Sequence, residues 1–319
     1  MSREVHVRFC ESGRGKFPPA TRLREGRRVD IYRFIRAEKA NFRVRVMCRV
    51  LGVSSSSYYE WQRQPQSDHE LRDKELREVI GEIFTENRSR YGSPRITEEL
   101  AKRDMAVSRK RVSRLMRDNG LRAKGKRKFK HTTDSNHSLP IAPNLVNQQF
   151  EVAEANKVWV GDITYIQTLE GWSYLATVID LYSRKVVGWS YSNRMTSALV
   201  CDALDAAVRL RRPEPGLIFH SDRGSQYASR AYRRRLWRYR MDQSMSAKGN
   251  CYDNAVAESF FATLKKELVS GEVYRTRAEA RAEIFQYIEV FYNRRRIHSL
   301  LGYMTPDEFE SCISKQCVA

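Results

Sequence analysis

Apolar positions along the chain follow two different periods. Up to about residue 123 they recur every three or four residues, the spacing of helices with one buried face. Ile31, Phe34 and Ile35 mark a first helix capped by Asp30. Val44, Met47, Val50 and Leu51 mark a second that stops at Gly52, and Ser54 opens a third bearing Tyr58, Tyr59 and Trp61. Leu71, Leu76, Val79, Ile80, Ile83 and Phe84 continue the period until Tyr91-Gly92-Ser93-Pro94 breaks it, with Ser93 expected as cap and Pro94 in the first helical position. After Ile96 and Leu100, Ser108 caps a helix that turns Val112, Leu115 and Met116 inward and ends at Asn119-Gly120.

From Val158 the pattern is that of strands. VWVGDITYIQ, GWSYLATVIDL and RKVVGWSYS are β-branched and aromatic runs, and the short turns at 169–171 and 183–184 predict antiparallel pairing. A helix follows over 196–211, then a strand LIFHSD, a basic amphipathic helix over 228–240, a strand MDQSMS and a helix over 253–269. A last long helix is expected over 276–298, and Thr305-Pro306-Asp307-Glu308 forms a capping box for a short closing one. Three antiparallel strands and then alternating helix and strand is the order of a ribonuclease-H-like α/β domain with a mixed five-stranded sheet.

These periods divide the chain into a basic flexible arm (1–28), a helix-turn-helix-like segment (29–65), a helix-turn-helix DNA-binding domain (66–123), a basic extended linker (124–156), the α/β domain (157–311) and a tail (312–319). Charge then narrows the class. Lys and Arg number 58 against 38 Asp and Glu, a net +20, which points to a polyanionic partner, nucleic acid first. No apolar run approaches the ~18 residues of a membrane span, and the N-terminus lacks the apolar stretch of a signal peptide, so a cytoplasmic, nucleoid-associated protein is expected. Six scattered cysteines without a C-x-x-C pair argue against a disulfide framework or zinc site. The helix after Ser108 carries Arg109, Lys110, Arg111, Arg114 and Arg117 outward, as a recognition helix would. RAKGKRKFK, with Lys124, Lys126, Arg127 and Lys128, is suited to tracking phosphates.

Three acids stand in apolar settings, where a charge has no cheap place. Asp162 interrupts Val158-Trp159-Val160 and Ile163, Asp222 ends Leu217-Ile218-Phe219-His220, and Glu258 lies on the helix of SAKGNCYDNAVAESFFATLKKEL. On that helix Asn254, Glu258 and Lys265 share one edge, and the loop before it carries Lys248. Asp180 competes as a fourth acid, although it precedes a turn that it could simply cap. Several converging carboxylates are what two magnesium ions need to serve phosphoryl transfer.

Between Asp162 and Asp222 lie 59 residues, and between Asp222 and Glu258 lie 35. With the words WVGDITYI, HSDRGSQY, SMSAKGNCYDNAVAESFFATLKKE and YNRRRIHSLLGYMTPDEF, this spacing resembles the second-frame (OrfB) transposases of IS-three-family bacterial insertion sequences, whose DDE core is integrase-like. The resemblance implies Asp162, Asp222 and Glu258 as catalytic metal ligands for two magnesium ions, with manganese as substitute. It also implies nicking at transposon ends and strand transfer into target DNA. Lys265, Lys248 and Asn254 become expected DNA contacts. The expected working form is a homo-oligomer on DNA, with the first-frame (OrfA) protein as frameshift fusion partner. Gly161 stands where relatives often carry threonine. Two alternatives stay open: a ribonuclease-H-like nuclease without strand transfer, and a catalytically silent helix-turn-helix regulator.

Overall fold

The computed structural model describes residues 28–63, 68–124, 139–247, 251–269 and 273–316. The chain divides into two compact units, Met1–Glu78 and Val79–Ala319.

The first unit contains α1 (Arg28–Glu38), α2 (Val44–Val50), α3 (Ser55–Arg63) and the start of α4 (Asp68–Glu86). Its core is Tyr32, Ile35, Met47, Cys48 and Tyr58. Phe34, expected inward, is exposed, as are Tyr59 and Leu71. The phase of α1 puts Tyr32 and Ile35, three apart, on the buried side instead.

The second unit opens with the rest of α4, then α5 (Ser93–Lys102) and α6 (Arg109–Asp118). The cap of α5 is Gly92 and not Ser93: the Gly92 carbonyl accepts the first helical bond from Ile96 at 3.1 Å, so Ser93 is already inside the helix. Ser108 caps α6 as expected, its Oγ accepting the Arg111 N–H at 3.4 Å, with Val112, Leu115 and Met116 buried.

The sheet is built from β1 (Val158–Thr168), β2 (Gly171–Asp180), β3 (Val186–Ser192), β4 (Ile218–Ser221) and β5 (Asp242–Met245), in the order β3-β2-β1-β4-β5. The first three strands pair antiparallel, whereas β4 pairs parallel to both β1 and β5. This is the mixed sheet of a ribonuclease-H-like core. Helix α7 (Ser197–Arg211) crosses β3 and β2. Their approach depends on Gly188, where a Cβ would sit 2.4 Å from the Ala203 carbonyl oxygen. Trp159, Val178, Val187, Leu204, Phe219, Tyr232 and Leu236 fill the core on this face.

The expected 228–240 helix is shorter, α9 (Arg230–Arg238), and follows a one-turn α8 (Ser225–Ala228) that was not expected; the Ser229 hydroxyl between them caps α9 by accepting the Tyr232 N–H at 3.2 Å. Then come α10 (Ala255–Leu264), which continues as a π-helical turn over Lys265–Val269, and α11 (Arg277–Phe285), which continues the same way over Gln286–Tyr292. The last long helix therefore ends at 292, short of the expected 298. The N–H groups of Arg295 and Arg296 both close onto the Phe291 carbonyl, at 2.8 and 2.7 Å, and the chain turns away from the axis. Helix α12 (Pro306–Gln316) begins with the expected capping box: Thr305 N–H donates to Glu308 Oε2 at 2.8 Å, and Glu308 N–H donates to Thr305 Oγ1 at 3.1 Å. Among the described residues no helix is long and apolar enough to cross a membrane.

Candidate active site

Strand register brings the first two acids together. Gly161 on β1 pairs with Ser221 on β4, so the next residues, Asp162 and Asp222, stand side by side where neighbouring strands are about 4.8 Å apart. Side chains alternate along a strand, and Trp159 and Ile163 belong to the core beneath α7. Asp162 therefore points to the opposite face. Helix α10 packs against β1 and supplies Glu258 in its first turn. All three acids are half-buried.

Backbone donors orient the two aspartates. The Ile163 N–H donates to Asp162 Oδ1 at 2.7 Å, and the Gly224 N–H donates to Asp222 Oδ1 at 3.0 Å. Arg223 fastens the same turn to the end of β5 by donating its Nε–H to the Ser246 carbonyl at 2.6 Å. The Asp162 carboxyl is pushed well above the usual range, first by burial and then by the charges of Asp222 and Glu258, against the pull of the Ile163 N–H and Lys265. The three acids thus share one electrostatic field. Among the described residues, no three His, Cys, Asp or Glu side chains stand close enough to hold a metal ion as they are.

Lys265 comes to the same place. Its Nζ lies 4.2 Å from the centroid of the Tyr165 ring. Burial lowers its proton affinity and the Asp162 charge draws it back up. Gly161 is needed for close approach, because a Cβ there would lie 2.6 Å from Phe219 Cζ.

Two residues read from sequence as DNA contacts are taken up inside the protein. Asn254 is buried and its Nδ2 donates to the Gly161 carbonyl at 3.4 Å, tying the start of α10 to the strand beside Asp162. Lys124 is half-buried and donates to the backbone carbonyl of Glu267 at 3.2 Å. Arg109, Lys110 and Arg114 on α6 are exposed, Arg111 is half-buried, and Arg114 lies 3.8 Å from Asp118. Lys126, Arg127, Lys128 and Lys248 lie outside the described residues.

Asp180 is structural. It is fully buried and accepts N–H bonds from Asn156 at 2.8 Å and Tyr182 at 3.0 Å, and Arg211 pairs with it at 3.2 Å. Asp253, unremarked in the sequence, is buried and clasps the loop before α10, accepting the Ala247 N–H at 2.7 Å and Asn144 Nδ2 at 3.0 Å.

The larger omission is Glu267, on the π-turn after α10. Its carboxylate, 3% exposed, accepts Arg296 Nη2 at 2.9 Å, Arg296 Nε at 3.0 Å, Tyr287 Oη at 2.8 Å and Arg95 Nη1 at 3.5 Å. Arg90 Nε donates to its backbone carbonyl at 3.3 Å, and Tyr91 Oη donates to the Arg295 carbonyl at 2.9 Å. The 88–124 segment is thereby fastened to the helix that carries Glu258. One sequence signal was available, since Glu267 shares the core-facing stripe of Leu264 and Leu268.

Three stretches match family models: an integrase core domain over residues 152–251, an HTH-like domain over 70–129 and a second integrase core model over 258–312. Transposase InsF for insertion sequence IS3A of Escherichia coli (strain K12) is 46% identical over 282 residues, which cover 88% of this chain and 98% of that protein. A 31 kDa protein of insertion element IS600 from Shigella sonnei is 48% identical over 263 residues, covering 82% and 97%. Among solved structures, a simian T-cell lymphotropic virus intasome in complex with a PP2A regulatory subunit matches at 13% identity, covering 72% of this chain and 74% of that one, with a TM-score of 0.43.

Proposed function

Because the chain belongs to the IS3-type DDE transposases, we propose that Asp162, Asp222 and Glu258 are the acids of its polynucleotidyl-transferase site, which nicks insertion-sequence ends and joins them to target DNA. One observation carries the assignment: Asp162 and Asp222 end side by side on paired strands, and Glu258 enters their field from α10.

Three carboxylates in a shared field are a hard oxygen donor set, the chemistry that suits magnesium, with manganese as substitute. Asp162, Asp222 and Glu258 would hold two such ions. When bound, these would polarise the scissile phosphate and lower the pKa of the attacking hydroxyl or water. The chain's own groups do the positioning. The Ile163 and Gly224 N–H groups aim the two aspartates, Asn254 seats the start of α10, and Lys265 offers a cation beside Asp162 for a DNA phosphate. The exposed cations of α6 serve to hold an insertion-sequence end. The working form in this reading is an oligomer on DNA, with the first-frame protein as fusion partner.

The test is substitution without change of size. Asp162→Asn, Asp222→Asn and Glu258→Gln should each abolish magnesium-dependent cleavage and strand transfer while DNA affinity stays within a few-fold of wild type. Strand transfer at the wild-type level from any of the three would overturn the assignment.

A further inference from the structure

The outward face of α9 takes no part in the site above. Tyr232 and Leu236 are buried beneath the helix. Arg235 is fixed across to α7 by a fork on Asp205, with Nε 3.1 Å from Oδ1 and 2.9 Å from Oδ2, and Tyr239 Oη donates to the same carboxylate at 3.0 Å. That leaves Arg230, Arg234, Trp237 and Arg238 exposed, Trp237 to 81%. At 100° per residue these four fall within an arc of about 100° on the side away from Tyr232 and Leu236.

We propose that this stripe docks the target duplex, with the three arginines on the phosphates of one strand and Trp237 against its sugar edge. The inference rests on the transposase reading and names a surface for its second DNA. Charge complementarity points to a polyanion: α9 holds five arginines and no acid. Asp205 is already matched by Arg235, which leaves Asp202 as the exposed acid on α7. Guanidinium forks suit phosphate oxygens. From Arg230 to Arg238 the stripe is about 12 Å long, roughly three nucleotide steps along one strand.

A second copy of the chain is a poor occupant, because a two-fold contact through this face would set arginine against arginine. Phosphate contacts hold DNA without reading its sequence, which suits a target that varies rather than an end that does not. Arg230 follows Asp222 by eight residues through α8. At the other end the Arg240 carbonyl accepts the Gly216 N–H at 2.8 Å, beside the start of β4. Helix α9 therefore runs back along β4, on the face of the sheet that α7 covers.

The experiment compares the full chain with an Arg230→Ala/Arg234→Ala/Arg238→Ala variant, both carrying Glu258→Gln, in binding to a duplex without insertion-sequence ends. Losing three phosphate contacts should flatten the dependence of log affinity on log salt by about 2.7. The gap between the two proteins should then shrink about 40-fold from 50 to 200 mM salt. With Glu258 restored, the triple alanine variant should nick ends at the wild-type rate and need more target DNA for strand transfer. Arginine-to-lysine changes at the same three positions should recover the salt slope. Trp237→Phe should remove a fluorescence change that target DNA produces in the wild type.

An unchanged slope would overturn the proposal. So would a parallel fall in nicking and strand transfer, which would place the transposon end on this face, or a lysine variant as defective as the alanine one. The active-site assignment fails separately, on strand transfer at the wild-type level from Glu258→Gln, and the slope decides the stripe whatever that outcome.

Discussion

Removing the Glu267 carboxylate should be the most damaging single change outside the active site. In Glu267→Ala the Arg296 guanidinium, 7% exposed, loses its charge partner. Its remaining neighbours are the Tyr292 ring, 5.7 Å from the centroid, and the His298 ring nitrogens at 3.4 Å, neither of which is an anion. Burial and the cations Arg296, Arg95 and Arg184 push His298 down to about 2, so it stays neutral in any ordinary buffer. Leaving one member of a buried pair uncompensated costs about 3–5 kcal/mol, a large part of the ~5–15 kcal/mol that holds a domain folded. Urea unfolding followed by fluorescence should show the midpoint fall at unchanged slope. The double variant Glu267→Leu/Arg296→Met, which removes both charges and keeps volume, should recover most of the loss. The pH dependence follows from the same network. Burial alone would raise the Glu267 carboxyl, but Arg296 and Arg95, with the Tyr287 hydroxyl, hold it below the usual glutamate range. The unfolded chain therefore binds this proton more readily than the folded one. The stabilisation is complete above the ordinary glutamate range and is lost as pH falls through the folded value. The wild-type midpoint should drop steeply once pH falls below the ordinary glutamate range, and that of Glu267→Gln should drop less. A Glu267→Ala cost under ~1 kcal/mol, or a double variant as weak as the sum of its singles, would refute the reasoning.

Two further outcomes are expected from close packing and buried charge. Gly161→Ala forces a methyl to within 2.6 Å of Phe219 Cζ and 3.3 Å of Tyr227 Oη. It should cost about 1–3 kcal/mol and displace Asp162, with both melting temperature and nicking rate partly restored by Phe219→Leu. Asp180→Ala strips two N–H bonds and the Arg211 partner. Arg211 keeps Glu310 at 2.7 Å, so the cost is that of the orphaned N–H groups, about 1–3 kcal/mol, and the nicking rate of the folded fraction should stay near wild type at low temperature.

Much of the fold was legible because it depends on local rules. The two turns and the alternating runs of β1 to β3 specify hairpins, Ser108 and Thr305 are helix starts by side-chain chemistry, and acids inside apolar strands stand out at Asp162 and Asp222. Misplacements came where a neighbour decides. Asn254 and Lys124 look like DNA-facing polar residues in sequence, and only the carbonyls of Gly161 and Glu267 turn them inward. Asp180 and Asp162 end or interrupt similar runs, but Arg211 and two N–H donors make the first a strut, whereas the second shares the field of Asp222 and Glu258.

By itself, then, the sequence determined the element order and the strand pairing that short turns enforce, and it set three acids in apolar surroundings. These follow from backbone period and from the cost of a charge in an apolar run. Tertiary structure alone decided that Glu267 meets Arg296 and Arg95, that Phe219 fills the space above Gly161, and that α9 leaves three arginines and a tryptophan in water. Those outcomes depend on which surfaces meet after folding, and burial of a charge is settled by the partner it finds there.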